Sequence, residues 1–244
     1  MTEKDREDII DAEEPKKGYI VPDKDSAMEQ EVQIDNPNYK SADKLKDKVA
    51  IITGADSGIG GATAIAFAKE GANLVLTDLE NGKDAEEVRE LCREYGAEVI
   101  WLTGDVGDED FAQKLVDAAV DAFGKIDILV NNAAQQLEQK SILDISASQL
   151  DRTFRTNIFA MFYFIKAALP HFSDGASIIN TTSVTAYRGS PNLLDYSSTK
   201  GAILTFTRSL ALNQELLDKK IRVNAVAPGY FWTPLQPACW VKEH

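Results

Sequence analysis

The stretch VAIITGADSGIGGATAIAFAKEG, residues 49–71, decides how the rest of the chain is read. Val49 to Thr53 form a short apolar and β-branched run. A turn containing Gly54, Ser57, Gly58, Ile59 and Gly60 follows, and then an alanine-rich helical pattern. A strand feeding a glycine turn and a helix presents backbone N–H groups and the positive end of a helix dipole at one point. The glycines let an anionic group approach the backbone there. The spacing is G-x3-G-x-G, and an ordinary strand-to-helix turn can also look like this, so the surrounding pattern has to decide.

Working outward, the same alternation recurs five more times. NLVLTD (73–78) reads as a strand, and KDAEEVRELCREYG as an amphipathic helix closed by Gly96. EVIWLTGDV is strand and loop, and DEDFAQKLVDAAVDAFG a helix ended by Gly124. IDILVNNAA, a long helix from about Ser148 to His171, ASIINTTS, a helix from about Leu194, and IRVNAVAPG complete the series. Strands nearly continuous in Val, Ile and Leu, separated by helices, predict an α/β fold. Its parallel sheet is covered on both faces and doubly wound by right-handed crossovers, with ligands at the carboxyl ends of the strands.

Several chemistry-bearing residues fall at those ends. Asp78 closes the second strand, 18 positions beyond Gly60. A carboxylate there accepts hydrogen bonds from ribose hydroxyls and repels a 2′-phosphate, and the next cation is Lys83, so NAD is favoured with NADP as the alternative. The other reading of Asp78 is a turn cap. Asp105-Val106 and Asn131-Asn132-Ala133-Ala134 end the third and fourth strands, and the small residues after Asn132 leave room for a flat adenosine or ribose.

In LLDYSSTKGA (193–202), Tyr196 and Lys200 are four apart and share a helical face. A free phenol titrates near ~10, and a neighbouring ammonium brings the phenolate within reach of neutral pH. In isolation the pair reads better as a packed ring and a surface lysine. Ser183 tips the balance. It lies at the end of a strand thirteen residues before Tyr196, where its hydroxyl can polarise a substrate oxygen.

Together T-G-x3-G-I-G, N-N-A-A, Ser183 followed by Y-x3-K, and P-G-x3-T resemble the short-chain dehydrogenase/reductase family, from about Leu45 to Pro237. The resemblance implies a single-domain Rossmann fold. It also implies acid/base catalysis by Tyr196, a Lys200 that lowers the phenol pKa and binds the nicotinamide ribose, and a Ser183 that holds the substrate oxygen. Asn157 would disturb the long helix and hold a water linking Lys200 to solvent. Pro228, Gly229 and Thr233 would line the nicotinamide. The substrate would be a small alcohol, aldehyde, ketone or sugar. Gly61 stands where relatives with an amino-terminal arm often carry Arg, which again favours NAD.

The resemblance also sets expectations about the two ends. Residues 1–47 hold 14 acidic and 8 basic side chains with four prolines or glycines between Pro15 and Pro37, and are expected to form an extended acidic arm. Its patch Gly18-Tyr19-Ile20-Val21-Pro22 resembles that of a bacterial subgroup of glucose- or alcohol-dehydrogenase-like oxidoreductases. The catalytic domain is expected over 48–244. Relatives continue past the position of Thr233 with a helical lid and a seventh strand, and Pro237 to His244 contain neither. A shortened carboxyl terminus, an exposed sixth strand and missing substrate contacts are therefore expected.

Composition narrows the alternatives. A net charge of −13 argues against a nucleic-acid partner. No run reaches the ~18 to 20 apolar residues of a membrane span, and MTEKDREDII has no secretory apolar core. Two cysteines and two histidines give no metal spacing and no disulfide framework, so a cytoplasmic, metal-free protein is expected. Phe154, Phe159, Phe162 and Phe164 are more aromatic surface than one sheet face needs. With the family's habit of pairing through the helices carrying Asn157 and Tyr196, they predict a homodimer, with a tetramer as the larger alternative. Two other readings stay open: a catalytically impaired nucleotide-binding or assembly subunit, and a nucleotide-sugar epimerase or dehydratase sharing Y-x3-K.

Overall fold

A computed structural model describes residues 32–238. The arm patch Gly18 to Pro22 and the last residues, from Cys239, lie outside the described residues. Six strands form one parallel sheet: β1 (Val49–Thr53), β2 (Asn73–Asp78), β3 (Val99–Thr103), β4 (Ile126–Asn131), β5 (Phe172–Thr181) and β6 (Arg222–Val226). Their order is β3-β2-β1-β4-β5-β6, so the chain winds outward in both directions from β1. The helices are α1 (Gly58–Lys69), α2 (Lys83–Glu94), α3 (Glu109–Phe123), α4 (Ala147–Phe154), α5 (Ala160–Ala168), α6 (Thr185–Arg188), α7 (Leu194–Ala211), α8 (Gln214–Asp218) and α9 (Leu235–Ala238).

Burial on both sheet faces explains the unbroken apolar strands. Ile51 packs with Val75, Leu129, Ile178 and Leu115 in one core layer, while its neighbours Ala50 and Ile52 pack with Leu74, Leu76 and Val88 in the other. The register places Ile51 beside Val75 on β2 and Leu129 on β4, so the central strand is paired with apolar residues on both edges. α3 shows why the helix boundaries were readable. The Asp108 side chain accepts the Asp110 N–H at 3.0 Å at its start, and Gly124 takes the left-handed conformation (φ 72°) at its end.

The long helix expected from Ser148 is interrupted. α4 passes into α5 through a π-turn, Arg155–Phe159, with Asn157 at its centre. Of the four phenylalanines, Phe164 is fully buried in this domain's own core. Phe159 and Phe162 remain exposed, Phe162 at 46 %, its ring 4.4 Å from that of Phe206 on α7.

Part of the acidic segment before β1 is fastened to the domain. Asp35 pairs with Lys69 and accepts the Tyr95 hydroxyl at 2.9 Å. Glu70, just after α1, accepts the Tyr39 hydroxyl and the backbone N–H groups of Ala42 (3.1 Å) and Lys44 (2.8 Å). β6 is the edge of the sheet among the described residues, and Val226 at its end is exposed. No described helix is long and apolar enough to cross a membrane.

Candidate active site

The carboxyl ends of β1 and β4 meet where the sheet order reverses, the crevice in which such folds take ligands. Gly54 leaves β1 at φ +65°, and Gly58 opens α1 at φ +50°. A Cβ on Gly60 would lie 1.7 Å from the Gly54 carbonyl oxygen, and one on Gly54 would lie 2.8 Å from Cα of Ala133. The turn is therefore folded onto itself and onto the β4 loop with no room for side chains. The Ser57 hydroxyl donates to Asp56 (2.8 Å) and makes no cap of α1. Ile59 sits in the first turn, half-buried. A close-packed glycine turn at a helix amino terminus fits a dinucleotide pyrophosphate.

Asn132 holds this turn rather than facing outward. Its Nδ2 donates to the carbonyls of Thr53 (3.2 Å) and Gly54 (3.0 Å), and its Oδ1 accepts the Thr181 hydroxyl (3.3 Å). The Thr53 hydroxyl accepts the N–H groups of Asn132 (3.0 Å) and Ala133 (3.1 Å). Asp78 lies half-buried at the end of β2, accepting the Leu79 N–H at 2.6 Å. Burial works to raise the Asp105 pKa. Hydrogen bonds from the Arg152 guanidinium and the Gly107 N–H outweigh that and hold the carboxyl below its usual range. Val106 beside it is buried.

On α7 the Tyr196 ring is 7 % exposed and the Lys200 side chain fully buried, with Nζ 5.2 Å from the ring centroid. Nζ donates to the Thr181 carbonyl at 2.8 Å. Burial of a charge in this position pushes the lysine pKa down to about 7. The Lys200 carbonyl accepts the Thr182 hydroxyl (2.7 Å), which seats α7 against the end of β5. Ser183 is buried two residues beyond β5, its Oγ accepting the Thr185 N–H at 3.1 Å.

The structure thus brings Ser183, Tyr196 and Lys200 to the same end of the sheet as the glycine turn. Asn157 joins them indirectly. Its Oδ1 accepts the Gln135 N–H (2.8 Å), and its Nδ2 donates to the Gln135 carbonyl (2.9 Å) and to the Thr199 hydroxyl (3.0 Å). Its direct partners are the loop after β4 and the neighbour of Lys200, not Lys200 itself. Thr233 lies against the glycine turn, 3.1 Å from where a Gly58 Cβ would be. The Pro228 carbonyl accepts the Val184 N–H (3.0 Å), whereas Gly229 is exposed with open space around it.

Sequence reasoning passed over Thr53, Thr181, Gln135, Gln136 and Arg152. Gln136 is buried and donates to the Leu235 carbonyl (3.0 Å), and Arg152 links Asp105 to the Gln135 side chain (3.1 Å). Position offered a signal: Gln135 and Gln136 directly follow N-N-A-A at a strand end.

The family model described as enoyl-(acyl carrier protein) reductase matches residues 54–243, most of the chain. The chain belongs to the short-chain dehydrogenase/reductase family. This short-chain dehydrogenase/reductase is 57 % identical over 209 residues to the uncharacterized oxidoreductase YhdF of Bacillus subtilis, covering 86 % of this chain and 72 % of that one. It is 47 % identical over 235 residues to the glucose and ribitol dehydrogenase of Daucus carota, covering 94 % and 80 %. Among solved structures it matches a 3-ketoacyl-(acyl-carrier-protein) reductase from Brucella melitensis complexed with NADH. There the TM-score is 0.74 and the identity 35 %, over 82 % of each chain. The short-chain dehydrogenase/reductase is thus an oxidoreductase with a nicotinamide cofactor site.

Proposed function

We propose that this chain interconverts an alcohol or sugar hydroxyl and its carbonyl with NAD. The buried Lys200 ammonium beside the Tyr196 ring, at the end of β5 with Ser183, is the observation that carries the reading. In the oxidative direction the Ser183 hydroxyl donates to the substrate oxygen and holds it beside the phenol. Tyr196 as phenolate takes the hydroxyl proton, and Lys200 stabilises that phenolate from one helical turn away. The bound dinucleotide supplies the hydride acceptor at nicotinamide C4. Gly54, Gly58 and Gly60 would hold its pyrophosphate, Asp78 its adenosine ribose, Asp105 and Val106 its adenine, and Lys200 its nicotinamide ribose, with Pro228, Gly229 and Thr233 near the ring. Asn157 acts by fixing the β4 loop against α7.

The preference for NAD over NADP follows from a carboxylate at the end of β2 and from Gly61. A Cβ on Gly61 would meet Val88 at 3.0 Å, so α1 and α2 pack too closely there for an added side chain to fit without a shift. The test is a dehydrogenase screen with NAD and NADP over sugars, polyols and simple alcohols. Faster turnover with NAD on at least one sugar or polyol is expected. Preference for NADP would overturn the cofactor assignment. No turnover at all would favour a non-catalytic nucleotide-binding subunit. The same reading includes a homodimer through α4, α5 and α7, supported by exposed Phe159 and Phe162. Light scattering giving a monomer mass at micromolar concentration would rule it out.

A further inference from the structure

Asp195, the residue before Tyr196, carries a carboxylate that is 3 % exposed. It sits in the first turn of α7, where backbone N–H groups have no partner in the helix and where Leu193 supplies no side-chain cap. Its Oδ1 accepts the N–H of Tyr196 itself at 2.9 Å. Its Oδ2 accepts two donors from α4, Gln149 Nε2 at 3.0 Å and the Thr153 hydroxyl at 2.9 Å. The relay continues. Gln149 Oε1 accepts Gln139 Nε2 at 2.8 Å, and the Gln139 N–H donates to the Asn192 carbonyl at 2.9 Å.

The polarity of this relay selects an aspartate. Gln149 already uses its oxygen on Gln139, so it can only donate toward α7. Asp195 therefore has three donors around it, which its two oxygens accept and which an amide nitrogen in place of Oδ2 would oppose. A carboxylate also suits the positive end of α7. The first turn of a helix is where fraying starts, and Tyr196 is the third residue of α7. Lys200 lies one turn deeper and is held separately by Thr181.

We infer that Asp195 is a positioning residue: with Gln149 it latches the first turn of α7 and the β4 loop together, and so holds Tyr196 in register with Lys200. This rests on the proposed acid/base role of Tyr196. The latch touches no group assigned to the dinucleotide, so its loss is expected to slow chemistry and spare cofactor binding. A displacement of about 1 Å at a reacting group costs on the order of 100-fold in rate.

The test is a set of four variants assayed with NAD and the fastest substrate of the sugar and alcohol panel. Asp195→Asn should lower kcat by roughly 10- to 100-fold, with the NAD Kd, read by protein fluorescence, within about twofold of wild type. Gln149→Glu should also impair kcat, because two carboxylates then face each other. The double variant Gln149→Glu/Asp195→Asn reverses donor and acceptor, keeps both the Gln139 and the Tyr196 contacts, and should recover most of the lost kcat. Thr153→Val, a near-isosteric loss of one donor, should cost a few-fold and covers the case in which the charged variants do not fold. Hydrogen exchange of the peptide spanning 190–198 should quicken in Asp195→Asn and not in the double variant. Wild-type kcat in Asp195→Asn, or a double variant no better than either single, would overturn the latch. Turnover by Tyr196→Phe would instead overturn the acid/base reading on which it rests, so the two failures are told apart.

Discussion

Tyr196→Phe leaves a folded, NAD-binding protein without measurable dehydrogenase turnover. The substitution removes one oxygen from a ring that is almost wholly buried and keeps the packing of the first turn of α7. General acid/base groups contribute about 100- to 10,000-fold, and here no second acid or base is assigned that could stand in. Initial rates at saturating NAD and substrate give the loss, and a thermal melt within a degree or two of wild type shows that it is chemical. Turnover above about a tenth of wild type would move the proton-transfer role off Tyr196, since so small a loss is below what such a group supplies.

Lys200→Met should lose turnover and bind NAD more weakly, because one ammonium serves both phenol and ribose in the proposed site. It should nonetheless make the cofactor-free protein more resistant to denaturation at neutral pH. In the unfolded chain the lysine titrates at its ordinary value of 10.5, and burial brings it to about 7 in the fold. Below about 7 both states are protonated and the full cost of the buried charge is present. Between about 7 and 10.5 the unfolded chain binds more protons, so wild-type stability rises with pH across that window. Methionine has no such proton, so the advantage of the variant should be largest at pH 7 and shrink toward pH 10. Urea midpoints at those two values measure it. An advantage that grows with pH would mean that Lys200 is not a buried charge held at a cost.

The order of strands and helices was legible because a parallel sheet buried on both faces leaves unbroken Val, Ile and Leu runs, and because Gly96 and Gly124 mark helix ends. The start of β5 was not. It begins at Phe172 rather than Ala176, and Gly175 (φ +79°) with a register shift opposite Ile126 and Ile128 hides it from any period-two pattern. The short helices α6 and α8 are too brief to show a helical period. Tyr196, Lys200 and Ser183 could be picked out because a strand end and a four-residue spacing fix where they point. Their fasteners could not: Gln135, Gln149 and Thr181 meet the site through contacts 19 to 46 positions apart in sequence. Asp195 reads in sequence as an ordinary first-turn acid, and only its burial shows otherwise. The clamp of Asp35 and Tyr39 on the far end of α1 likewise joins residues whose composition reads as a solvated arm.

The π-turn at Arg155–Phe159 acts as a phase shifter. Each residue of an α-helix advances the azimuth by about 100°, and a π-turn accommodates one residue more than the α-helical ladder holds. Ahead of it, Gln149 and Thr153 must point at α7; behind it, Phe164 must point into the sheet core. A uniform helix of the same length would set its two ends at a different angle to each other. The extra residue sets the two halves independently, like a half-tooth offset between gears on one shaft. The conformation of this segment is therefore as constrained as its composition, since winding the same residues as an unbroken α-helix would rotate α5 and Phe164 by roughly 100° relative to the end that holds Asp195.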